Sequence, residues 1–339
     1  MKIAVDAMGG DFAPEVVVQG ALQAASEWGV DITLVGQREA VEHEMKHSAR
    51  TPHVRIHPCT QQILMGEPPL KAIRQKKDSS IKVAFDLVKR GEADAVVSAG
   101  NSGALLAAGV LTLGRIKGVE RPAFVGILPG IQGDVILIDV GANVDCRPNH
   151  LFHFGVMAHA FALSCLGMQE PKIGLLSIGE EGKKGNEQVR LAHDLFAASD
   201  LRFVGNVEGR DILSGNVQII VCDGFVGNVV LKLTEGLAEA MFKMLKEGME
   251  DSLQSGPSPP SDSGILQWLG EKLDYAEHGG APILGIKGVA IVCHGASPAR
   301  AIKNAIRTAA LYVEKDIPER LARHMERFQA RPLQQALAG

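Results

Sequence analysis

Three fingerprints of common enzyme classes are missing from this 339-residue chain. It contains no G-x-G, and therefore no dinucleotide-binding G-x-G-x-x-G, no G-x-x-x-x-G-K-[ST] phosphate loop and no G-x-S-x-G nucleophile elbow. A nicotinamide-dependent enzyme, a P-loop nucleotide triphosphatase and a serine hydrolase all lose support.

Cysteine and basic residues are also too few or too scattered for several classes. The five cysteines are odd in number and never spaced C-x-x-C, which argues against a disulfide framework or a thiolate zinc site and favours a reducing cytosol. A formal net charge of −4 gives no global basic field, so we expect no nucleic-acid partner and only a local phosphate site. The start of the chain, with Asp6 at its sixth position, does not resemble a signal peptide.

Charged residues are absent from Ala95 to Gly114, a run long enough to cross a membrane. The run nevertheless contains Asn101 and several serine and glycine residues, which are costly in hydrocarbon. We therefore predict a strand, a polar turn and a buried helix here rather than a membrane span.

A repeated pattern is present along the chain: a β-rich run, a turn of Gly, Asn, Ser or Asp, then a helical stretch. Strands that alternate with helices predict an α/β fold with a mainly parallel sheet covered on both faces. We expect the polar turns to gather at one rim, where helix N-termini favour an anion. The strand-like runs are Ile3–Val5, Ala95–Val97, Val135–Ile138, Ile219–Val221 and Val289–Val292.

The longest helical stretch begins after Asn228 and breaks at a Gly-, Pro- and Ser-rich segment, 255–261. A second amphipathic piece follows and contains Trp268. We predict one domain spanning residues 1–339, with a helical hairpin projecting at about 229–275. The apolar stripe around Trp268 fits a lipid surface and a dimer partner equally well.

His43 to His47 match H-E-x-x-H, the signature of a zinc metalloprotease helix. The neighbouring residues are charged, which is typical of a solvated helix, and no third ligand is apparent. We expect no metal site.

Lys184 is a better candidate for a functional residue. It follows the strand-like run Ile173–Leu176 and precedes Gly185-Asn186-Glu187, where a helix is expected to open. A lysine beside free backbone donors can hold a phosphate, whereas we interpret Lys183 as a solvated neighbour.

A series of motifs, in order along nearly the whole chain, resembles the phosphate acyltransferase (PlsX) family of bacterial phospholipid synthesis. The motifs are Val5–Asp11, Lys76–Ser80, Ser98–Leu105, Arg121–Ala123, Asp139–Asn143, Lys184–Glu187, Phe203–Gly209, Asp223–Asn228, Lys272–Tyr275 and Gly279–Pro282.

The resemblance implies a three-layer α/β/α sandwich like that of isocitrate and isopropylmalate dehydrogenases, assembled as a homodimer. It implies transfer of an acyl group from acyl-carrier protein to inorganic phosphate, without a cofactor. A membrane acyltransferase would then use the acyl phosphate to acylate glycerol 3-phosphate. The expected location is the cytoplasm, with weak contact to a membrane surface, because only Lys272 is basic between Asp251 and Tyr275.

The resemblance also assigns site residues. Lys184 and Asn228 match the catalytic positions. The expected substrate- and phosphate-binding residues are Asp6, Gly9, Gly10, Asn101, Ser102, Gly103, Asn143 and Asn186.

Two alternatives remain open. The first is an enzyme resembling phosphate acetyltransferases, which would use an acyl-coenzyme A thioester. The second is a non-catalytic adaptor for acyl carriers or membrane surfaces, in which the hairpin would be the main functional feature.

Overall fold

The computed structural model describes residues 1–46, 52–255, 276 and 279–329, with side-chain surroundings as far as residue 247 in the eighth helix and residue 328 in the last one. All five strand-like runs of the sequence are strands. The strands are β1 (Lys2–Asp6), β2 (Asp31–Gly36), β3 (Val54–Pro58), β4 (Ala95–Ser98), β5 (Ala123–Leu128), β6 (Val135–Ile138), β7 (Ile173–Leu176), β8 (Phe203–Val207), β9 (Ile219–Val221), β10 (Ala281–Leu284) and β11 (Val289–Val292).

The helices follow most of these strands. The predicted strand, turn and buried helix after residue 94 are confirmed as β4 and α5, and no helix of the described chain has the length and apolar composition needed to cross a membrane. The helices are α1 (Glu15–Trp28), α2 (Arg38–Met45), α3 (Pro69–Gln75), α4 (Ser80–Lys89), α5 (Ser102–Thr112), α6 (Pro148–Cys165), α7 (Glu187–Ala197), α8 (Gly224–Ser255), α9 (Ala299–Glu314) and α10 (Ile317–Gln329).

The eleven strands form one sheet in the order β3-β2-β1-β4-β11-β10-β5-β6-β9-β7-β8. Seven pairings are parallel, which confirms the predicted mainly parallel sheet. The pairings β10–β11, β5–β10 and β5–β6 are antiparallel. Because the direction reverses three times, the group β3, β2, β1, β4 and β11 runs opposite to the group β6, β9, β7 and β8.

Alternate residues of each strand enter different apolar layers, as the two-residue period of a strand requires. In β6, Ile136 and Ile138 pack in the layer that contains α1, α6, α9 and α10, whereas Val135 and Leu137 pack with α3, α4 and α5. The sheet is therefore covered by helices on both faces, and the predicted three-layer α/β/α sandwich is confirmed.

Helix α8 starts earlier than the sequence pattern predicted, at Gly224 rather than after Asn228. The Asp223 carboxylate Oδ1 accepts a hydrogen bond from the Val226 backbone N–H at 2.9 Å and so caps the earlier turn. The second arm of the predicted hairpin, with Trp268 and the Pro-rich tip, lies outside the described residues. The single-domain arrangement with its hairpin therefore stays a prediction.

Candidate active site

Strands β6, β9 and β7 end side by side at one edge of the sheet. They lead into the turn 139–143, the start of α8 and the loop 177–186 that precedes α7, respectively. We call this edge the Lys184 edge. Of the residues predicted from the sequence, it holds Lys184, Asn228, Asn143 and Asn186.

A buried carboxylate, Asp139, organises the turn after β6. Its Oδ1 accepts hydrogen bonds from the backbone N–H groups of Phe124 and Ala142, both at 3.0 Å. Its Oδ2 accepts from the backbone N–H of Asn143 at 2.6 Å and from the Asn143 side-chain amide at 3.0 Å. Burial raises the pKa of the Asp139 carboxyl, and these donors oppose the shift. The turn is thus held rigidly.

The first turn of α8 packs directly on this turn. The Gly224 N–H donates to the Asn143 carbonyl at 2.7 Å. A Cβ at Gly227 would lie 1.9 Å from the Asp139 carbonyl oxygen, so only glycine permits this approach. Asp223 joins a third element, because its Oδ2 accepts from the Gln188 amide of α7 at 3.1 Å. The starts of α7 and α8 are therefore fixed beside each other.

The loop that carries Lys184 is held from below while its charged group stays exposed. Asn206 of β8 donates its amide to the Glu181 carbonyl at 2.9 Å, and the Lys184 N–H donates to the same carbonyl at 2.9 Å. Asn186 caps α7 by accepting from the Val189 N–H at 3.0 Å. Within the described residues, the Lys184 ammonium has no ion pair, which leaves it available to an anion.

Other polar groups at this edge are also unpaired. Asn228 is exposed in the first turns of α8, and its amide makes no hydrogen bond to any described residue. Two buried atoms beside the loop, Ser177 Oγ and Asn206 Oδ1, likewise lack a partner in the described chain. An exposed amine, free amides and two helix N-termini can together hold an oxyanion.

A contrasting set of polar residues lies at the ends of β1 and β4, which we call the Asp6 edge. Asp6 is fully buried and accepts from Ser98 Oγ at 2.7 Å and from the Met8 N–H at 3.1 Å. Burial raises the pKa of its carboxyl. A Cβ at Gly9 would lie 2.6 Å from the Gly100 nitrogen, so this glycine serves close packing.

Asn101, Ser102 and Gly103 start α5 at the Asp6 edge. Asn101 accepts from the Ala104 N–H at 3.0 Å, and its amide donates to the carbonyls of Leu64 and Met65 at 3.2 and 2.9 Å. Its polar groups are therefore all in use, whereas the Ser102 side chain is exposed. Gly10 adopts a φ of 114°, which favours glycine.

The prediction that all the polar turns gather at one rim is wrong. The Asp6 edge and the Lys184 edge belong to oppositely directed strand groups, and five or six strand spacings separate β4 and β1 from β9. At about 4.8 Å per spacing the separation along the sheet is roughly 25–30 Å. One phosphate cannot contact both sets within one chain. The substrate- or phosphate-binding role predicted for each residue of the Asp6 edge stays a prediction. These residues are Asp6, Gly9, Gly10, Asn101, Ser102 and Gly103.

One cluster of acidic side chains could in principle ligate a metal. In the described part of the chain, one acidic group, Glu180, Glu208 and Asp211, has carboxylate oxygens within 4.8 Å of one another. Arg210 already pairs with Glu208 at 2.9 Å and with Glu180 at 3.4 Å, which supplies the positive charge a metal would bring. His43 is exposed on α2, and His47 lies outside the described residues.

Cys146, a cysteine beside the Lys184 edge, is not an activated nucleophile. Burial, together with the charges of Asp139 and Asp223, raises the pKa of the Cys146 thiol to about 12. The thiol is therefore protonated at neutral pH.

Several residues that build this edge were not among the predicted site residues. Asp139, Asp223 and Gln188 hold it together, although two of them stand in motifs of the family resemblance. An Asp directly after a buried strand and before a Gly-containing turn was the available signal. The contact between the starts of α7 and α8 forms only in the folded chain, so no local sequence pattern indicates it.

The fold can be compared with solved structures. A phosphotransacetylase from Streptococcus pyogenes superposes with a TM-score of 0.62 at 20% identity, covering 93% of this chain and 94% of that one. A 4-hydroxythreonine-4-phosphate dehydrogenase from Klebsiella pneumoniae gives a TM-score of 0.54 at 14% identity, covering 92% and 99%. These likenesses define the class of fold: a phosphotransacetylase- and dehydrogenase-like α/β sandwich.

Sequence comparison identifies the family within that class. The family described as fatty acid synthesis protein matches residues 1–320. A phosphate acyltransferase from Geobacter sulfurreducens is 51% identical over 327 residues, covering 96% of this chain and 94% of the relative. The chain belongs to the phosphate acyltransferase family and is an enzyme of the acyltransferase class.

Proposed function

We propose that the chain transfers a fatty acyl group from an acyl-carrier-protein thioester to inorganic phosphate at the Lys184 edge. The products would be acyl phosphate and free carrier protein. Family membership supports the reaction class. The observation that carries the location is the exposed ammonium of Lys184, without an ion pair among the described residues, beside the start of α8 with its unpaired Asn228 amide.

The reaction needs positioning and electrostatics more than a nucleophilic side chain. A phosphate oxygen attacks the thioester carbonyl carbon, the carbonyl oxygen gains negative charge, and the C–S bond then breaks. Lys184 would hold the phosphate or protonate the departing sulfur, and the Asn228 amide would donate to the oxyanion. A thiol leaving group with a pKa of about 8–9 needs only modest help.

Asn143 and Asn186 have different parts in this proposal. Both amide N–H groups of Asn143 are engaged, by Asp139 and by the Pro122 carbonyl at 2.8 Å, so Asn143 acts by positioning the turn under α8. Asn186 uses its oxygen to cap α7 and keeps its amide N–H groups for the substrate.

The test is to incubate purified protein with an acyl-carrier-protein thioester, with and without phosphate, and to trap acyl phosphate with hydroxylamine. We expect hydroxamate only when phosphate is present. A matched reaction with acyl-coenzyme A separates the two carriers, since the better substrate saturates at lower concentration. No phosphate-dependent loss of thioester from either carrier would overturn the proposed reaction.

A homodimer is part of the proposal, and α8 supports it. One stripe of this helix exposes large apolar side chains: Leu233 is 67% exposed, Leu237 51%, Met241 50% and Met244 67%. Contiguous exposed apolar surface of this kind marks a protein interface. We expect Leu237→Asp to shift the molar mass measured by light scattering from dimer to monomer, whereas Lys243→Asp on the same helix should leave it unchanged.

The last part of the proposal concerns the fate of the acyl phosphate product. An acyl phosphate is an activated mixed anhydride, so a membrane glycerol-3-phosphate acyltransferase would consume it. A cytoplasmic enzyme with weak, salt-insensitive contact to membrane suits that transfer. Vesicle flotation at two salt concentrations tests the contact, and tight salt-sensitive binding would contradict it.

A further inference from the structure

A cavity of about 460 Å³ opens beside the Lys184 edge. Its wall includes Arg115, Arg121 and Arg147, together with Glu120, His150 and Cys146. The Cys146 thiol lies 3.4 Å from the Asn143 carbonyl oxygen, which also accepts the N–H of Gly224. One residue of the cavity wall, Cys146, therefore contacts the turn on which α8 begins.

The charge in this wall is unbalanced. Three arginines face two carboxylates, those of Glu120 and Asp145. Arg115 donates to the backbone carbonyl of Glu120, not to its carboxylate. Neither Arg121 nor Arg147 forms a side-chain ion pair with any residue that the structure describes. Because a guanidinium stays charged at any physiological pH, the cavity keeps a positive field.

The Glu120 carboxylate has a hydrogen-bond partner in the same wall, His150. The Nδ1 of His150 accepts the backbone N–H of Arg147 at 3.1 Å, so the ring proton of the neutral imidazole lies on Nε2. That Nε2 faces the Glu120 carboxylate at 3.1 Å. Burial lowers the pKa of His150, which keeps the ring neutral. The Glu120 carboxylate thus contacts a histidine and keeps its charge, and it forms no ion pair with Arg121 or Arg147.

Size and chemistry define the ligand. Free guanidinium groups match the oxygens of a phosphate, to which arginine donates in pairs. At about 30 Å³ per water the cavity would hold roughly fifteen waters, more than the five heavy atoms of free phosphate fill. We propose that the arginine cavity binds the phosphate of a substrate of the reaction, an inference that rests on the proposed function. The two sources of this chemistry are inorganic phosphate and the phosphodiester of the carrier's phosphopantetheine arm.

Binding is measured directly so that the result does not depend on turnover. Inorganic phosphate and phosphopantetheine are titrated separately by calorimetry into the full chain, the double variant Arg121→Gln/Arg147→Gln, and the control Arg38→Gln. Arg38 is an exposed arginine of α2, paired with Glu42 at 3.1 Å, on the other half of the sheet. Unfolding curves check that the double variant is folded.

We expect at least one probe to bind the full chain and to lose tenfold or more in affinity in the double variant, with Arg38→Gln unchanged. The probe that is lost identifies the source of the phosphate. The single variant Arg121→Lys keeps the charge but not the paired donors. We expect its affinity to lie between that of the double variant and that of the full chain. Equal binding of both probes to the full chain and the folded double variant, or no binding of either, would overturn the site. Loss of binding in the double variant of a protein that makes no acyl phosphate would sustain the cavity and reject the proposed function.

Discussion

Polar, glycine-containing turns follow the strands at both edges of the sheet, but their side chains have different surroundings. At the Asp6 edge the side chains of Asp6 and Asn101 are buried and hydrogen bonded. At the Lys184 edge a buried carboxylate, Asp139, is equally well satisfied, but Lys184 and Asn228 above it are exposed. A polar, glycine-containing turn after a strand therefore does not by itself indicate a site.

The two edges differ in the polar side-chain groups that remain unpaired once the backbone N–H groups of the turns have acceptors. Turns at strand ends need acceptors for their N–H groups, and Asp and Asn provide them at both edges. Only the Lys184 edge, of the two, adds a cation in the turn-bearing loop and a helix whose capping residue keeps free amide donors. Surplus donors, and not the turn residues, therefore mark the candidate site.

The largest expected effect concerns Lys184. Lys184→Ala should lower the rate of acyl phosphate formation by roughly two orders of magnitude or more, the scale of losing a preorganised electrostatic group. The stability should change little, because the side chain is exposed. Initial rates and urea unfolding measure the two quantities.

Lys183→Ala is the matched control for this substitution, since Lys183 is an exposed lysine in the same loop. We expect its rate to stay within twofold of the unsubstituted protein. Equal losses in the two variants would mean that the loop contributes only general charge, and the contrast between the edges would lose its main support.

The second effect is on stability and tests whether Asp139 anchors the Lys184 edge. Asp139→Ala leaves four donor N–H bonds without their buried acceptor. Because one unsatisfied buried group costs about 1–3 kcal/mol, the free energy of unfolding should fall by about 3 kcal/mol or more. Asp145→Ala, at an exposed position just after the same turn, should change it by less than about 0.5 kcal/mol. A stable Asp139→Ala variant would show that the turn does not depend on this carboxylate.

The third effect compares the two asparagine caps, Asn101 and Asn186. Either substitution by Ala removes a cap hydrogen bond of 3.0 Å and should cost about 0.5–2 kcal/mol of stability. Asn101→Ala should be the more destabilising, since its amide also ties down the 64–65 carbonyls. Only Asn186→Ala should raise the KM for phosphate. A raised KM in Asn101→Ala instead would restore the phosphate role that the sequence suggested for the Asp6 edge.

Much of the fold could be predicted from the sequence, because each strand-like run is buried and followed by residues that end a strand. The strand directions could not, since β5 and β10 carry no local signal that they pair antiparallel. That reversal is what separates Asn101 from Lys184. The arginine cavity could not be predicted from the sequence either. Arg115 and Arg121 lie in the segment between α5 and β5, whereas Arg147 directly precedes α6, and only tertiary structure places all three in one cavity wall.

The smallest expected effect concerns a pair of histidines that lies at neither edge. Its contribution to acid stability has to be known before the acid stability of the two edges is compared. His159 of α6 and His324 of α10 lie at neither edge, with Nδ1 and Nε2 3.0 Å apart and their rings stacked. Burial lowers the pKa of His159 to about 4, with help from the charges of His324 and Arg327, and burial also lowers the pKa of His324. This histidine pair thus binds fewer protons in the folded protein than in the unfolded chain between about pH 6.5 and pH 4. Stability from this pair is therefore complete above pH 6.5 and is lost as the pH falls toward 4.

His324→Gln removes one titrating ring, so its melting temperature should fall less than that of the unsubstituted protein between pH 7 and pH 4.5. Because these rings are only half-buried, we expect the difference to be worth about 1 kcal/mol or less. Parallel melting curves for the two proteins over that pH range would contradict the coupling. The buried carboxyls Asp6 and Asp139 cannot cause acid loss of stability, because their raised pKa values make them bind more protons in the folded protein than in the unfolded chain.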